Sequence, residues 1–257
     1  MAKVMSKPLS VRERVSEAEW QVRVDLAAAY RLVHHYGWTD MIFTHLSARV
    51  PGPEHHFLIN PYGMMFDEVT ASDLVKIDLD GNIVMESEWN VNPAGFCIHS
   101  AIHMAREDAK AVMHLHTDDG VAVSSMAEGL LPLTQTALVI HDQVAHHEFE
   151  GVALDLDERK RLVDDIGDKK LLLLRNHGTL ATGESVPDCF LKLYTFERAC
   201  TMQVRAMASA KLHMPSEQAV ETARHQGESL MTTGGLEQLA WPALLRMLDR
   251  HYPGFRD

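Results

Sequence analysis

The sequence contains few cysteines, no long apolar run and no excess of positive charge, and each absence excludes a class of protein. Three cysteines without the spacing of a metal finger or a redox motif indicate reduced thiols in a reducing compartment. The longest aliphatic run, at 171–174, is far shorter than the roughly 20 apolar residues that span a bilayer. The polar first segment, 1–15, has no apolar stretch typical of a secretion signal. We therefore expect a cytoplasmic protein with reduced thiols and no membrane association.

Acidic residues outnumber basic ones, 36 against 24, and give the 257-residue chain a formal net charge of −12. Because nucleic acids and anionic membrane surfaces are themselves negative, neither is expected as the main partner. Hydrophobic residues make up 46% and charged residues 23% of the chain, which is typical of a globular fold. No repeat, low-complexity segment or long linker divides it. We expect one domain over 1–257, with a core at about 20–210 and a helical tail at 211–257.

Hydrophobic periodicity alternates between helix and strand spacing along the chain. Ser16 has the position of a helix N-cap, and Glu19 three residues later completes a capping box. Asp80-Gly81 lies between two strand-like runs and is typical of a tight hairpin. The predicted helices are 17–36, 69–73, 93–106, 117–127 and 185–212, with weaker helices beyond 215, and the predicted strands are 41–50, 56–60, 75–79, 82–86, 111–116, 170–175 and 179–183. Hairpins mixed with helices predict an α/β fold with many antiparallel neighbours.

Two histidines separated by one leucine, His114 and His116, lie in a predicted strand. Residues i and i+2 of a strand project to the same face, so both rings point together while Met113 and Leu115 pack on the opposite face. Two imidazoles on one face are suited to zinc and other first-row metals. The same pattern is also typical of surface histidines that only make hydrogen bonds.

A third histidine, His177, lies in an Asn-His-Gly turn at the end of the apolar strand predicted at 170–175. A polar turn at the end of a buried strand is where a scaffold presents functional side chains. Gly178 permits a backbone conformation that other residues resist. The alternative is a turn histidine that only caps the strand end.

Several motifs together resemble the class II aldolase/adducin family, namely "NPAGFCIHSAIHMAREDAKAVMHLHT", "LLLLRNHGTLATG" and "LKLYTFERACTMQ", preceded by "FTHLSARVPG" and "FLINPYGMMFDEVTASDLVKIDLDG". The resemblance runs from roughly 20 to 210 with matching order and spacing. It implies a single three-layer α/β/α domain with a largely antiparallel central sheet, assembled as a homotetramer with sites near subunit interfaces. It also implies a divalent metal, most often Zn²⁺, held by His114, His116 and His177, with Mn²⁺, Fe²⁺ and Co²⁺ as alternatives.

The sequence departs from the sugar-phosphate aldolases of this family at three places. Where the resemblance places an acid/base glutamate, at the start of the helix predicted at 93–106, this chain has Gly95. Thr44-His45 and Pro93-Ala94 stand where those aldolases bind a phosphate. No tyrosine occurs between 117 and 150, where they supply a proton donor. The motifs here resemble the adducin-type branch, so a phosphorylated sugar is not the expected substrate.

Two further histidines are candidate catalytic residues. His99 lies one turn after Gly95 on the same helix face and is a candidate base, although a core histidine bonded to a carbonyl would give the same pattern. His147 matches a recurrent histidine of the family, in a loop region that the resemblance places near the interface. His45 and Arg49 could contact an anionic substrate or only form a solvated strand face.

Three neutral imidazoles around an open metal position can polarise a carbonyl and stabilise an enolate formed by C–C cleavage or decarboxylation. We therefore expect a metal-dependent lyase that acts on a small, non-phosphorylated oxo or hydroxy acid. A non-catalytic, adducin-like interaction module is one alternative, although the terminal "HYPGFRD" lacks the lysine-rich tail of adducins. A mononuclear metal oxygenase that uses iron at the same three histidines is another.

Overall fold

Strands and helices alternate through the part of the chain that the computed structural model describes, residues 9–151, 157–208, 211–232 and 235–257. The strands are β1 His45–Arg49, β2 Phe57–Ile59, β3 Val75–Ile77, β4 Ala111–Leu115, β5 Val144–His147, β6 Leu171–Leu174 and β7 Gly178–Gly183. The helices are α1 Val11–Arg14, α2 Glu17–His35, α3 Pro93–Ala105, α4 Asp118–Ser124, α5 Gln135–Leu138, α6 Glu158–Ile166, α7 Val186–Met207, α8 Glu217–Thr232 and α9 Gly235–His251.

The strands form one seven-stranded sheet in the order β3-β2-β1-β4-β7-β6-β5. Five of the six pairings are antiparallel, and β5 runs parallel to β6. The prediction of an α/β fold with a largely antiparallel sheet is confirmed. In the centre of the sheet β1 pairs with β4, and their register places His45 opposite His114.

Different helices cover the two faces of the sheet, which makes three layers. Met113 and Leu115 of β4 pack in one core with side chains of α2 and α7. Val112 packs in a second core with side chains of α3 and α6. Because side chains alternate along a strand, His114 faces the α3 side, opposite Met113 as predicted. This face carries the candidate site.

Helix α2 begins as predicted, but its first turn is completed differently. The Ser16 hydroxyl accepts a hydrogen bond from the Glu19 amide at 3.1 Å, which confirms the N-cap. The predicted capping box is wrong, because the Glu19 carboxylate pairs with Arg23 at 3.0 Å and Lys76 at 2.8 Å. Arg23 also donates to the carbonyl of Leu74 at 2.8 Å. This buried ion pair ties α2 to the chain at β3.

Strand β1 is shorter than the predicted 41–50 and begins at His45. Met41 and Thr44 have left-handed φ angles of 46° and 66°, which interrupt strand geometry. The conformation is costly for a β-branched residue, and the buried Thr44 hydroxyl has no hydrogen-bond partner among the described residues. The direction in which the chain enters β1 is therefore set immediately before His45.

The hairpin predicted around 80–81 is present but short: the chain reverses there, with an antiparallel bridge between Ile77 and Ile83 in place of a second strand. Two other predictions away from the central strands were wrong. The helix predicted at 69–73 is a turn. The segment predicted as a loop contains the edge strand β5. An edge strand is half exposed and therefore tolerates polar residues, which hid its alternation.

Two expectations from the sequence concern membrane-spanning segments and the state of the cysteines. None of the helices in the described ranges is long and apolar enough to cross a membrane. All three cysteines are buried and none is in a disulfide bond with a described residue, in keeping with the predicted reduced thiols. The single-domain boundaries stay a prediction.

The hydroxyl of Tyr30 on α2 holds the beginning of β1. It accepts hydrogen bonds from the amides of Leu46 at 2.8 Å and Asn60 at 3.2 Å, and donates to the Leu46 carbonyl at 2.5 Å. Tyr30 is fully buried, so water cannot replace the hydroxyl. Since Leu46 directly follows His45, the position of that histidine depends on this contact.

We expect Tyr30→Phe to lower the free energy of unfolding by about 2 kcal/mol, because two buried amides lose their acceptor. Urea unfolding followed by circular dichroism measures the change. Tyr36→Phe is the matched control, since the Tyr36 hydroxyl, at the end of the same helix, makes no hydrogen bond with the described residues. It should cost less than about 0.5 kcal/mol. Equal losses in the two variants would contradict the role given to Tyr30.

Candidate metal centre

The three histidines singled out in the sequence lie together at one end of β4. His114 is in that strand, His116 follows its last residue, and His177 lies in the turn between β6 and β7. One ring nitrogen from each lies within 4.8 Å of those of the other two. The ring centroids are 4.7–4.8 Å apart. This histidine cluster has the residues and spacing that could hold a metal ion.

Two of the rings are oriented by acceptors behind them. The Nδ1 of His114 lies 2.9 Å from the carbonyl oxygen of Thr179, and the Nδ1 of His116 lies 3.1 Å from the carboxylate of Asp40. A carbonyl and a carboxylate only accept hydrogen bonds, so each Nδ1 carries a proton and each neutral ring has its lone pair at Nε2. Histidines that bind metals are commonly oriented in this way.

The donor atoms of His114 and His116 fit a shared cation. The Nε2 atoms of His114 and His116 lie 2.9 Å apart, and neither carries a proton in the assignment above. Two lone pairs at this distance repel unless a positive centre lies between them. Two nitrogen ligands at about 2.0–2.1 Å from one zinc ion lie about 3.3 Å from each other at the tetrahedral angle and about 2.9 Å apart at a right angle. The donor set therefore suits a divalent first-row metal.

Burial keeps the rings of His114 and His177 in the neutral form that binds metals. The pKa of His114 is held well below its usual value by burial and by the neighbouring His177 and His116. Burial and His116 lower the pKa of His177 to about 4. Imidazoles with pKa values this low are unprotonated at neutral pH and need not lose a proton to become ligands.

The Asn-His-Gly turn brings His177 against β4. Asn176 has a left-handed φ of 55°, a conformation that asparagine tolerates better than most residues. A Cβ atom at Gly178 would overlap the carbonyl oxygen of Leu115. Glycine therefore allows the backbone of β7 to approach β4 closely enough for His177 to reach His114.

A buried carboxyl that the sequence reasoning missed lies behind the cluster. Glu197 of α7 accepts a hydrogen bond from the Thr117 hydroxyl at 2.5 Å and another from the Thr179 hydroxyl. Thr117 follows His116, and the Thr179 carbonyl accepts from His114. Burial raises the pKa of Glu197 to about 7. The sequence did contain a signal for Glu197: it is an acidic residue four positions after Leu193, on the predicted apolar face of the helix.

The ring of His45 occupies the space beside Gly95. A Cβ atom built on Gly95 would lie 2.5 Å from Cδ2 and 3.0 Å from Nε2 of His45. No ordinary side chain fits at position 95 while the ring stays in place. Where the resemblance places a glutamate, the structure therefore has an imidazole that comes from β1.

Neither predicted catalytic histidine offers a free ring nitrogen to the cluster. Both nitrogens of His99 are engaged, Nε2 with His45 at 2.8 Å and Nδ1 with Ser47 at 2.5 Å. His147 lies on β5 with Nδ1 2.7 Å from Asp165 and Nε2 3.3 Å from Glu158. Their proposed catalytic roles stay predictions, and the structure places His45 between His99 and the cluster.

Arg49 lies at the opposite end of β1 from His45. Its guanidinium donates to the carbonyl oxygen of His103 and lies 3.9 Å from the exposed carboxylate of Glu107. These contacts hold the end of α3 against β1. The structure therefore gives Arg49 a structural contact and does not bring it to the histidine cluster.

The layered fold with a histidine cluster at the junction of β4, β6 and β7 defines a class II aldolase-like protein. The chain belongs to the class II aldolase and adducin family, because the model of the Class II Aldolase and Adducin N-terminal domain matches residues 24–204. The predicted resemblance is confirmed.

Three known proteins illustrate the breadth of this family. An aldolase II superfamily protein from Pseudomonas syringae is 49% identical, with a TM-score of 0.92 over 97% of this chain and 100% of that chain. L-fuculose 1-phosphate aldolase from Glaciozyma antarctica is 25% identical, with a TM-score of 0.77 over 96% of each chain. Alpha-adducin from Mus musculus is 45% identical over 76% of this chain and 27% of its own length. The chain is thus similar to an aldolase and to part of adducin.

The raised pKa of Glu197 predicts a distinctive pH dependence of stability. The usual pKa is 4.5, and the folded value is about 7. Between these values the folded state binds more protons than the unfolded state, so this group lowers the free energy of unfolding as pH rises. Above about pH 7 the carboxyl is ionised in both states and its contribution is constant.

The free energy of unfolding of Glu197→Gln, minus that of the unaltered protein, should therefore rise by about 1–3 kcal/mol from pH 4.5 to pH 8. Urea unfolding of both proteins across this range measures the difference, in which the titration of the buried histidines cancels. Glu217→Gln, a change at an exposed position on α8, is the control and should show no such trend. A pH-independent difference for Glu197→Gln would contradict the raised pKa.

Proposed function

We propose that this protein is a divalent-metal-dependent lyase that acts on a small, non-phosphorylated oxo or hydroxy acid, by retro-aldol cleavage or decarboxylation. The observation that carries the proposal is the cluster of His114, His116 and His177, with its rings oriented by Thr179 and Asp40. A domain with only a structural role has little reason to bring three imidazoles together at one point, one of them buried.

The metal would be held by the Nε2 atoms of His114 and His116 together with the ring of His177. Zn²⁺ suits this all-nitrogen set best, and Mn²⁺, Fe²⁺ or Co²⁺ are the alternatives. When bound, such a cation supplies a Lewis acid that polarises a carbonyl or carboxylate oxygen. The chain itself orients the ligands through Asp40 and Thr179 and excludes water behind them by burying His114.

The surroundings of Gly95 support a substrate without a phosphate. The buried His45 ring and the buried Thr44 side chain take the place of residues that bind phosphate in the aldolases that the sequence resembles. A substrate with a single carboxylate needs no phosphate-binding side chains, because the carboxylate could bind the metal directly.

A non-catalytic interaction module is the second candidate, and one observation favours it. The chain is more similar in sequence to alpha-adducin, at 45% identity, than to L-fuculose 1-phosphate aldolase, at 25%. The catalytic proposal is preferred because the histidine cluster keeps the oriented geometry that a metal needs. The activity screen described below separates the two candidates.

We further propose that the protein works in the cytoplasm as a homotetramer with its site close to a subunit interface. The exposed ring of Phe149, which follows β5 two residues after His147, lies 6.5 Å from the ring of His177. A large apolar side chain exposed beside a polar site is typical of a surface covered by a partner.

We expect the protein to bind about one divalent metal ion per chain. After loading with Zn²⁺ and gel filtration, elemental analysis should find the metal in the unaltered protein and in His213→Ala, which removes an exposed histidine outside the cluster. The double variant His114→Ala/His116→Ala should retain little or none. Equal, negligible metal in all three proteins would refute the metal site.

We expect the metal-loaded protein to cleave or decarboxylate at least one member of a panel of small hydroxy-oxo acids. Nuclear magnetic resonance of the reaction mixtures detects substrate loss and identifies the products. The His114→Ala/His116→Ala variant should be inactive, because it lacks the metal, and His213→Ala should retain activity. If the protein with measured metal neither changes nor binds any acid in the panel, the interaction module replaces the lyase.

A further inference from the structure

A continuous line of buried hydrogen bonds leads away from the metal centre between β1 and α3. It consists of His45, His99, Ser47 and His103, ends on the carbonyl oxygen of Ala109, and is named here the histidine chain. The distances are 2.8 Å from His45 Nδ1 to His99 Nε2, 2.5 Å from His99 Nδ1 to Ser47 Oγ, 2.8 Å from Ser47 Oγ to His103 Nε2 and 2.9 Å from His103 Nδ1 to the Ala109 oxygen. None of the four side chains is more than 4% exposed.

The last member of the histidine chain determines the direction of every hydrogen bond. A carbonyl oxygen only accepts, so His103 donates from Nδ1 and, as a neutral ring, accepts at Nε2. The single hydroxyl proton of Ser47 goes to His103, and the Ser47 oxygen must therefore accept from Nδ1 of His99. The neutral His99 ring then accepts at Nε2 from Nδ1 of His45. This leaves His45 with its proton on Nδ1 and a lone pair on Nε2.

The assignment requires all three rings to be neutral, and their surroundings favour that form. Burial lowers the pKa of His103 to about 3. Burial and the neighbouring rings hold the pKa of His99 well below its usual value. Within the described chain none of these rings has a carboxylate partner that would stabilise a charged imidazole.

The unprotonated Nε2 of His45 lies at the border of the metal centre. The His45 ring centroid is 5.3 Å from that of His114, its neighbour across the β1–β4 pair. Nε2 has no hydrogen-bond partner among the described residues. The ring packs against Gly95, which has no side chain to cover Nε2. A ligand in the metal centre would approach the ring at this nitrogen.

We propose that His99, Ser47 and His103 are positioning residues that lock His45 in the Nδ1–H tautomer, so that its Nε2 accepts a hydrogen bond from the hydroxyl of a hydroxy acid bound at the metal centre. The inference rests on the proposed function, because that function supplies the hydroxyl-bearing ligand. It also explains why an imidazole fills the space beside Gly95.

The locked tautomer presents the lone pair of His45 Nε2 to the substrate hydroxyl. The opposite tautomer would present an N–H donor at the same place and could not accept the hydrogen bond. Proton acceptors in active sites are commonly held in one tautomer by a partner on the second ring nitrogen.

Ser47→Ala tests the lock at a residue that does not touch the metal centre. Without the hydroxyl, a proton on His99 Nδ1 would be buried without an acceptor, so His99 is expected to move its proton to Nε2 and donate to His45 Nδ1. His45 then carries its proton on Nε2. Neutron diffraction from crystals exchanged into D₂O locates the deuterium on each ring nitrogen. Ser47→Thr keeps a hydroxyl and should restore the original tautomer.

Ser100→Ala is the matched control. Ser100 is equally buried and lies on α3, but its hydroxyl donates to the carbonyl of Cys97 at 3.3 Å and takes no part in the histidine chain. The unaltered protein and Ser100→Ala should carry deuterium on Nδ1 of His45. Deuterium on Nε2 of His45 in the unaltered protein would overturn the proposal, and this result does not depend on whether Ser47→Ala folds.

Binding of glycolate to the Zn²⁺-loaded proteins gives the functional readout. Calorimetry should show about tenfold weaker binding to Ser47→Ala than to the unaltered protein, with Ser100→Ala and Ser47→Thr unchanged and zinc content equal in all four. Equal glycolate affinity in Ser47→Ala and the unaltered protein overturns the role of the histidine chain. Absence of glycolate binding to the unaltered protein overturns instead the proposed substrate class, so the two failures are distinguishable.

Discussion

The backbone pairing of β1 with β4 is the contact on which the site depends. Its register sets His45 opposite His114, and the alternation of side chains sends both rings to the face that α3 covers. The hydroxyl of Tyr30 holds the first residues of β1 against α2 from the other side of the sheet. A shift of β1 by one residue in this pairing would turn His45 to the opposite face and separate it from His99 and His114.

Burial without compensating carboxylates makes these histidines chemically useful. An imidazole in water is partly protonated near neutral pH, and only the neutral form binds a metal or accepts a proton. Here burial holds the pKa values of His114, His45 and His177 low. The exception among the ring partners is Asp40, whose carboxylate faces Nδ1 of His116 at the more exposed edge of the cluster. The same desolvation that costs stability therefore prepares both the ligands and the acceptor.

The features that could be predicted from the sequence are those determined within one element. The common face of His114 and His116 follows from the period of a strand, and the turn around His177 follows from its glycine. The histidine chain could not be predicted, because His45 and Ser47 share a strand face while His99 and His103 share a helix face, and only tertiary packing joins the two pairs. The capping box predicted for Glu19 was wrong for a related reason. The sequence pattern does not reveal that Arg23 and Lys76 compete for the same carboxylate. The contacts of these side chains are set by partners that lie far away in the sequence.

The residues at positions 45 and 95 depend on each other. A side chain at position 95 and the present His45 ring exclude each other, because a Cβ there would lie 2.5 Å from the ring. Glycine at position 95 is therefore what allows an imidazole from β1 to enter this space. A carboxylate on a helix can accept a proton without further support, whereas an imidazole must first be held in the correct tautomer. Under the proposed function, the hydrogen bonds through His99, Ser47 and His103 would meet that requirement.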